Sequence, residues 1–155
     1  MQKPVLHPTQ MIDVGEKSVT RREATARSAI RMKSETAHMV RDSTLPKGNA
    51  LETARVAAIM AAKNTPQIIP LCHPLLLSGV DCEFEIDLEA GRITATATVR
   101  CNGQTGVEME ALTAVSAALL TIYDMTKGVD ETLEIENIRL MRKTGGKSGD
   151  FSREV

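Results

Sequence analysis

The chain has 155 residues, of which 42% are hydrophobic and 25% charged, and its formal net charge is −1. The balance of 19 basic against 20 acidic residues excludes the electrostatic footprint of a nucleic-acid-binding protein. Three cysteines without C-x-x-C spacing argue against a disulfide framework, and neither a membrane span nor a signal-peptide core is visible. We therefore expect a cytoplasmic protein that binds neither nucleic acid nor membrane.

The N-terminal half of the sequence predicts an arm, a strand and two helices. Residues 1–20 show no sustained period and are predicted to form the arm. Alternation of apolar and polar residues over 23–32 predicts a strand, and a cap followed by an acidic residue predicts a short helix near 34–42. An alanine-rich helix is predicted over 50–64, with a start at Asn49 that resembles a capping box.

The C-terminal half predicts a hairpin, a long helix and a last strand. Strict alternation over 80–101, about a turn at Ala90-Gly91, predicts a hairpin whose acidic row faces solvent. A helix is predicted over 107–127. The last strand, over 133–140, changes phase near Asn137, which indicates a bulge.

This order of elements is the split βαβ plan of a ferredoxin-like α+β sandwich, with an antiparallel sheet and helices on one face. We expect one domain over 1–155, with a Gly/Lys-rich loop and tail at 144–155. Because a core without tryptophan buries little area per side chain, we also expect oligomerisation to supplement it.

One stripe of the long helix, opposite its apolar face, carries polar and small residues: Glu110, Thr113, Ala117, Thr121 and Asp124. Lys127 lies three positions after Asp124, so the two side chains can meet. The stripe is either a solvated face with one exposed ion pair or the floor of a groove that ends in an acid–base pair.

Four lysines adjoin or closely flank glycines: Lys47, Lys127, Lys143 and Lys147. Glycine lets backbone N–H groups approach an anion closely, and lysine adds positive charge. The last run imitates a P-loop, but Met141 occupies the first glycine position and no helix follows, which excludes a Walker-type site. A different phosphate-binding loop and a mobile basic tail both remain open.

The segment Leu71-Cys72-His73-Pro74, preceded by a second proline, is predicted to be an ordered apolar loop. A zinc site is disfavoured because the other cysteines fall on the core face of the hairpin, and a Cys–His nucleophilic pair is disfavoured because adjacent side chains diverge. His73 is either a ligand-binding group or an ordinary loop histidine.

Several segments together resemble the cyclic pyranopterin monophosphate synthase family, also called MoaC, over about residues 11–151. They are Met11-Ile12-Asp13-Val14, Ile69-Pro70-Leu71-Cys72-His73-Pro74-Leu75, Thr105-Gly106-Val107-Glu108-Met109-Glu110-Ala111-Leu112-Thr113, Leu120-Thr121-Ile122-Tyr123-Asp124-Met125 and Gly145-Gly146-Lys147-Ser148-Gly149. The resemblance implies a lyase of molybdenum cofactor biosynthesis. Its reaction converts 3′,8-cyclic dihydroguanosine triphosphate into cyclic pyranopterin monophosphate and pyrophosphate.

The resemblance also implies roles for individual residues. Asp124 would be the general acid/base and Lys127 its catalytic neighbour, with Lys47 and Lys143 among the catalytic cations. The residues that would bind substrate are Leu71, Cys72, His73, Met109, Glu110, Arg22 and Lys147. The family is hexameric, a trimer of dimers with active sites between subunits. No cofactor is expected, although Mg²⁺ accompanying the triphosphate stays open.

Two other functional classes stay open at this point. A non-catalytic nucleotide-binding regulator on the same fold would need the lysines but not Asp124. A structural partner that only holds the preceding enzyme would need neither.

Overall fold

A computed structural model describes residues 6–154. Its elements, in chain order, are β1 (Thr20–Arg31), α1 (Ser34–Arg41), α2 (Ala50–Lys63), β2 (Leu77–Asp87), β3 (Arg92–Gly103), α3 (Glu108–Thr126), β4 (Glu134–Thr144) and β5 (Phe151–Ser152). The strands form one antiparallel sheet in the order β2-β3-β1-β4-β5, and α2 and α3 pack against each other and against the sheet. The predicted α+β sandwich of ferredoxin-like type is confirmed. Among residues 6–154, no helix is long and apolar enough to cross a membrane.

The predicted helices and strands are found within a few residues of their expected bounds. At the start of α2, the Asn49 side chain accepts a hydrogen bond from the Glu52 backbone N–H at 3.1 Å, which confirms the predicted cap. The acidic row of β2 is exposed, as predicted from the alternation. The short strand β5 was not predicted, because two residues carry no periodicity.

Small side chains fill the contact between the helical layer and the sheet. Buried alanines occur on β1, α2, β3 and α3, at Ala24, Ala26, Ala54, Ala58, Ala95, Ala97, Ala111, Ala114 and Ala118. Alanine lets backbones approach closely but removes little apolar area from water per residue. The larger core side chains, such as Ile30, Ile93 and Leu119, are fully buried between sheet and helices. The small side chains therefore let α2 and α3 pack close to the sheet.

The predicted irregularity in β4 is a bulge at Asn137. Asn137 has a φ of 54°, and the pairing of β1 with β4 shifts register between Arg27 and Ala29. A bulge inserts one extra residue into a strand and re-aims the side chains that follow it. Side chains that follow Asn137 in β4 therefore lie on the opposite face of the sheet from the one that a regular strand would give them.

Asp130 joins the end of the helical layer to the start of α1. Its carboxylate accepts hydrogen bonds from the Lys33 backbone N–H at 2.9 Å and from the Thr36 hydroxyl at 2.7 Å. The residue before α1 makes no side-chain cap of its own, so Asp130 caps that helix from a distant part of the chain. The carboxylate also accepts from the N–H and hydroxyl of Thr132.

Candidate functional site

At the C-terminal end of α3, one carboxylate holds two lysines. Asp124 Oδ1 lies 2.9 Å from Lys127 Nζ, and Asp124 Oδ2 lies 2.8 Å from Lys47 Nζ. The contact between Asp124 and Lys127, predicted from their spacing, is confirmed. The sequence analysis did not predict that Lys47 meets the same carboxylate.

The approach of Lys47 is built by the turn that precedes α2. Leu45 is buried in the core, and the Gly48 N–H donates to the Leu45 carbonyl at 3.0 Å. Gly48 has a φ of 100°, a conformation that glycine adopts without steric cost. The buried Leu45 side chain fixes this turn to the core, and the turn places Lys47 beside the end of α3.

The two lysines determine the charge state of Asp124. Hydrogen bonds from Lys47 and Lys127 lower the pKa of Asp124 from 3.8 to about 2, although all three side chains are more than half exposed. Asp124 is therefore an anion at neutral pH. With two ammonium groups around it, the Asp124 cluster, as we call these three residues, is net positive and faces solvent.

A separate cavity of about 420 Å³ lies at the N-terminal end of α3. It is lined by the apolar loop, by the start of α3 and by the N-terminal arm: Ile12, Val14, Lys17, Ile69, Leu71, Cys72, His73, Leu75, Thr105, Gly106, Glu108, Met109 and Glu110. Five of the predicted substrate-binding residues, Leu71, Cys72, His73, Met109 and Glu110, thus share one cavity. Its volume falls in the range typical of small-molecule sites.

His73 ties the arm to this cavity. Its Nε2 lies 2.6 Å from the Ile12 carbonyl, and because a carbonyl can only accept, Nε2 carries the proton. Gln104 holds the same arm by donating to the carbonyls of Gly15 and Lys17. The arm is thereby held as part of the cavity wall, a role that its lack of periodicity did not indicate.

Glu110 forms part of the cavity wall and is only 3% exposed, so of the two interpretations left open for its stripe, the solvated face does not hold at this position. The cause is tertiary, because the loop that carries Cys72 and the first turn of α3 together form the cavity wall. Burial, with a further contribution from the charge of Glu108, raises the pKa of Glu110. The Cys72 thiol also has a raised pKa, through burial and the charge of Glu110, which makes it a poor nucleophile.

In the part of the chain that the structure describes, the remaining predicted cations do not line this cavity, and of these Lys143 contacts a residue that does. Arg22 is largely buried and donates from Nε to the Gly103 carbonyl at 2.9 Å, and Gly146 packs directly against its guanidinium. Lys143 Nζ lies 3.5 Å from Glu108 Oε1. Lys147 is exposed on the glycine-rich loop between β4 and β5. Lys47 and Lys127 therefore lie at the C-terminal end of α3, whereas Lys143 lies at its N-terminal end.

The cavity and the Asp124 cluster are far apart within one chain. Glu110 and Asp124 are fourteen positions apart on α3, which places them about 21 Å apart at a rise of 1.5 Å per residue. Groups that act on one reacting centre must lie within about 3–3.5 Å of the atoms they serve. The cavity and the Asp124 cluster of a single chain cannot meet that condition together.

Comparisons with known proteins identify the family. The sequence profile of the MoaC family matches residues 11–146. The chain belongs to the MoaC family. It is 57% identical over 144 residues to the cyclic pyranopterin monophosphate synthase of Chloroflexus aurantiacus, covering 93% of this chain and 88% of that protein.

Other MoaC relatives carry the same name. The cyclic pyranopterin monophosphate synthase of Pelotomaculum thermopropionicum is 54% identical over 145 residues, covering 94% of this chain and 85% of that protein. The synthase of Parvibaculum lavamentivorans is 54% identical over 142 residues, covering 92% and 89%. The similarity therefore includes both the cavity and the Asp124 cluster.

Among the polar residues that line this cavity, the sequence analysis missed three. Lys17 and Thr105 line the cavity, and Glu108 both lines it and binds Lys143. Thr105 and Glu108 stand in a segment quoted for the family resemblance, so that segment could have indicated them. No local pattern marks Lys17, because its position depends on how the arm crosses the fold. Within residues 6–154, no group of three His, Cys, Asp or Glu side chains could hold a metal ion.

Proposed function

We propose that this chain catalyses the reaction for which its relatives are named, the synthesis of cyclic pyranopterin monophosphate. It is a lyase of molybdenum cofactor biosynthesis, since curated relatives with more than 50% identity over nearly the whole chain are synthases of this product. The substrate is 3′,8-cyclic dihydroguanosine triphosphate, and the second product is pyrophosphate. The observation that carries the proposal is the Asp124 cluster. Its carboxylate and Lys127 can transfer protons, and its two lysines can bind phosphate.

Asp124 and Lys127 supply the proton transfers in this proposal. The free carboxylate, with its pKa near 2, is too weak a base to work well at neutral pH. A bound triphosphate competes for the lysines, and loss of their hydrogen bonds would move the pKa of Asp124 back toward its ordinary value. Substrate binding thus activates the base, while Lys127 remains positioned to return a proton.

The cations act on the phosphates. Release of pyrophosphate leaves negative charge on the departing oxygens, and preorganised cations stabilise that charge as it develops. Lys47 and Lys127 are half exposed and held in place by Asp124, so they are available to an incoming anion. Lys143, Lys147 and Arg22 supply further positive charge at the other end of α3. No resident cofactor is part of this proposal, and Mg²⁺ would enter only with the triphosphate.

The cavity at the start of α3 binds the ring system. Its wall combines apolar side chains, such as Leu71 and Met109, with the carboxyl of Glu110 and the imidazole of His73. The carboxyl and the imidazole can form hydrogen bonds with a heterocycle rich in nitrogen and oxygen, while the apolar side chains contact its ring faces. The backbone N–H groups at the start of α3 favour bound negative charge nearby.

A complete active site in this proposal needs two copies of the chain. One copy supplies the ring cavity, and another supplies the Asp124 cluster, because the two are about 21 Å apart in one chain. We propose a homohexamer, a trimer of dimers, with its active sites between subunits. Exposed apolar side chains on the helical layer, Val56, Met60, Leu120 and Tyr123, support association of copies. A cytoplasmic location belongs to the same proposal.

Turnover of the cyclic dihydroguanosine triphosphate tests the function. Purified chain is incubated with substrate, and pyrophosphate release and pterin fluorescence after oxidation are followed for the unaltered chain, Asp124→Asn and Lys127→Ala. We expect product from the unaltered chain and a loss of at least about 100-fold in each variant, typical for a general acid or base. Tight binding without turnover by the unaltered chain would instead make it a nucleotide-binding regulator.

A further inference from the structure

A second cavity, of about 160 Å³, opens on the sheet face that the helices do not cover. Its floor includes Ala29, which is only 1% exposed, and Thr94. Three arginines line it: Arg27 from β1, Arg92 from β3 and Arg139 from β4. It shares no lining residue with the ring cavity or the Asp124 cluster, and the proposed function makes no use of it.

The arginines are brought together against their mutual repulsion. Arg27 stands directly opposite Arg139 in the pairing of β1 with β4, and like charges directly opposite each other destabilise a sheet. Arg92 is paired with Glu136 at 3.0 Å, whereas Arg27 reaches Glu85 only at 3.7 Å. Among residues 6–154, no carboxylate lies within 4 Å of the Arg139 guanidinium. Three guanidinium groups thus face two carboxylates, and the cavity is net positive.

The bulge in β4 creates this juxtaposition. Ala29 pairs with Glu136, so a regular antiparallel register would place Ile138 opposite Arg27. The extra residue at Asn137 moves Arg139 into that place, and Asn137 itself lines the cavity with a φ of 54°. Asparagine tolerates this left-handed conformation, so the bulge places a second arginine opposite the first at little cost in backbone energy.

We propose that this cavity binds a phosphate-type oxyanion, inorganic phosphate or pyrophosphate. Guanidinium groups bind phosphoryl oxygens through paired N–H donors, and an anion between Arg27 and Arg139 would relieve their repulsion. The cavity volume of about 160 Å³ is below the roughly 300 Å³ at which cavities hold drug-sized ligands. It is nevertheless larger than the volume that a few water molecules occupy in the liquid, at about 30 Å³ each. A small inorganic anion fits these limits, and a whole nucleotide does not.

Binding is tested by calorimetric titration with inorganic phosphate and with pyrophosphate, at constant ionic strength. All proteins carry Lys47→Ala, Lys127→Ala, Lys143→Ala and Lys147→Ala, so that none of the lysines assigned to the substrate phosphates contributes. The comparison is between this background, the background with Arg139→Ala, and the background with Arg41→Ala. Arg41 is an exposed arginine on α1 and matches the change in charge.

We expect about one anion per chain in the background and in the Arg41→Ala protein, and at least about tenfold weaker binding with Arg139→Ala. A preference of tenfold or more for pyrophosphate would mean that two phosphoryl groups are held, and equal affinities would mean one. Identical binding by the Arg139→Ala and Arg41→Ala proteins would overturn the proposal, as would no binding to the background.

Thermal unfolding gives a second test that does not depend on the titration. Without anion, Arg139→Ala should unfold at the same temperature as its background or higher, because it removes a like-charge pair. Added pyrophosphate should raise the unfolding temperature of the background and of Arg41→Ala but not of Arg139→Ala. An equal rise in all three proteins would contradict the site.

Discussion

Lys47 Nζ lies 2.8 Å from Asp124 Oδ2, although the two residues are 77 positions apart in the chain. With Lys127 on the other oxygen, this contact makes one carboxylate the centre of two ammonium groups. The fold thus builds its proton-transfer pair and its phosphate-binding charge from the same three side chains. The acidity of Asp124 and the availability of the lysines are consequently linked.

The first prediction concerns that link. Replacing Lys47 with alanine removes the hydrogen bond that lowers the pKa of Asp124 most, so this pKa should rise from about 2 toward 3.8. The carboxyl carbon of Asp124, followed by NMR through a pH titration, reports the change directly. Lys63→Ala, a lysine at the end of α2, is the control and should leave the titration unchanged. An unchanged pKa in Lys47→Ala would show that the contact is absent in solution.

Substitution of Gly146 should impair function through Arg22. Gly146 has a φ of 82°, and a methyl group there would collide with the Arg22 guanidinium, displacing it from the Gly103 carbonyl. We expect Gly146→Ala to weaken substrate binding by roughly tenfold, the value of one charge-assisted hydrogen bond. Gly149→Ala is the matched control, because Gly149 has a φ of 76° and no neighbour within 4 Å of the added carbon. Equal KM values in the two variants would contradict a role for Arg22.

Glu110→Gln should change how stability depends on pH. Burial raises the folded-state pKa of Glu110 above its ordinary 4.5, so ionising it costs stability as the pH rises above that value. Glutamine has the same shape and no charge, so the variant should gain stability relative to the unaltered chain between pH 4 and pH 8. Urea unfolding at several pH values measures the difference. A constant difference across that range would show that Glu110 is not buried as described.

Asp130 should be the most costly single carboxylate to remove. Burial alone would raise the pKa of Asp130, but hydrogen bonds from Thr132, Lys33 and Thr36 lower it overall. Asp130→Ala should therefore lose about 2–4 kcal/mol of unfolding free energy, since several donors lose a charged acceptor. Because the folded-state pKa is depressed, the contribution is complete above about pH 4 and declines as the pH falls further. Asp130→Asn should lack this acid-dependent loss, and a cost below about 1 kcal/mol for Asp130→Ala would contradict the capping role.

Local patterns predicted most of this fold because its elements are long and regular. The hairpin of β2 and β3 alternates over its whole length, and α3 repeats its apolar residues at helical spacing. The bulge at Asn137 was predicted for the same reason, since a change of phase is visible within one strand. The i to i+3 contact of Asp124 with Lys127 is equally local.

Contacts between segments far apart in the chain could not be predicted from local sequence patterns. Glu110 occupies a polar stripe by helical periodicity, and only the tertiary packing around the start of α3 buries it. Lys47 reaches Asp124 because the turn before α2 lies beside the end of α3, a relation between segments far apart in sequence. The arginine cavity likewise depends on the register between two strands, which the sequence of either strand alone does not specify.

The most direct test of the account is turnover by a mixture of two inactive variants. Asp124→Asn lacks the base and His73→Ala lacks part of the ring cavity, so each assembled alone should show little activity. The two are mixed, dissociated in mild denaturant and reassembled, and pterin formation is measured against each variant treated in the same way. If active sites form between copies, mixed assemblies contain sites with both halves intact, and a substantial fraction of activity should return. Activity that stays at the level of the separate variants would contradict a site shared between copies.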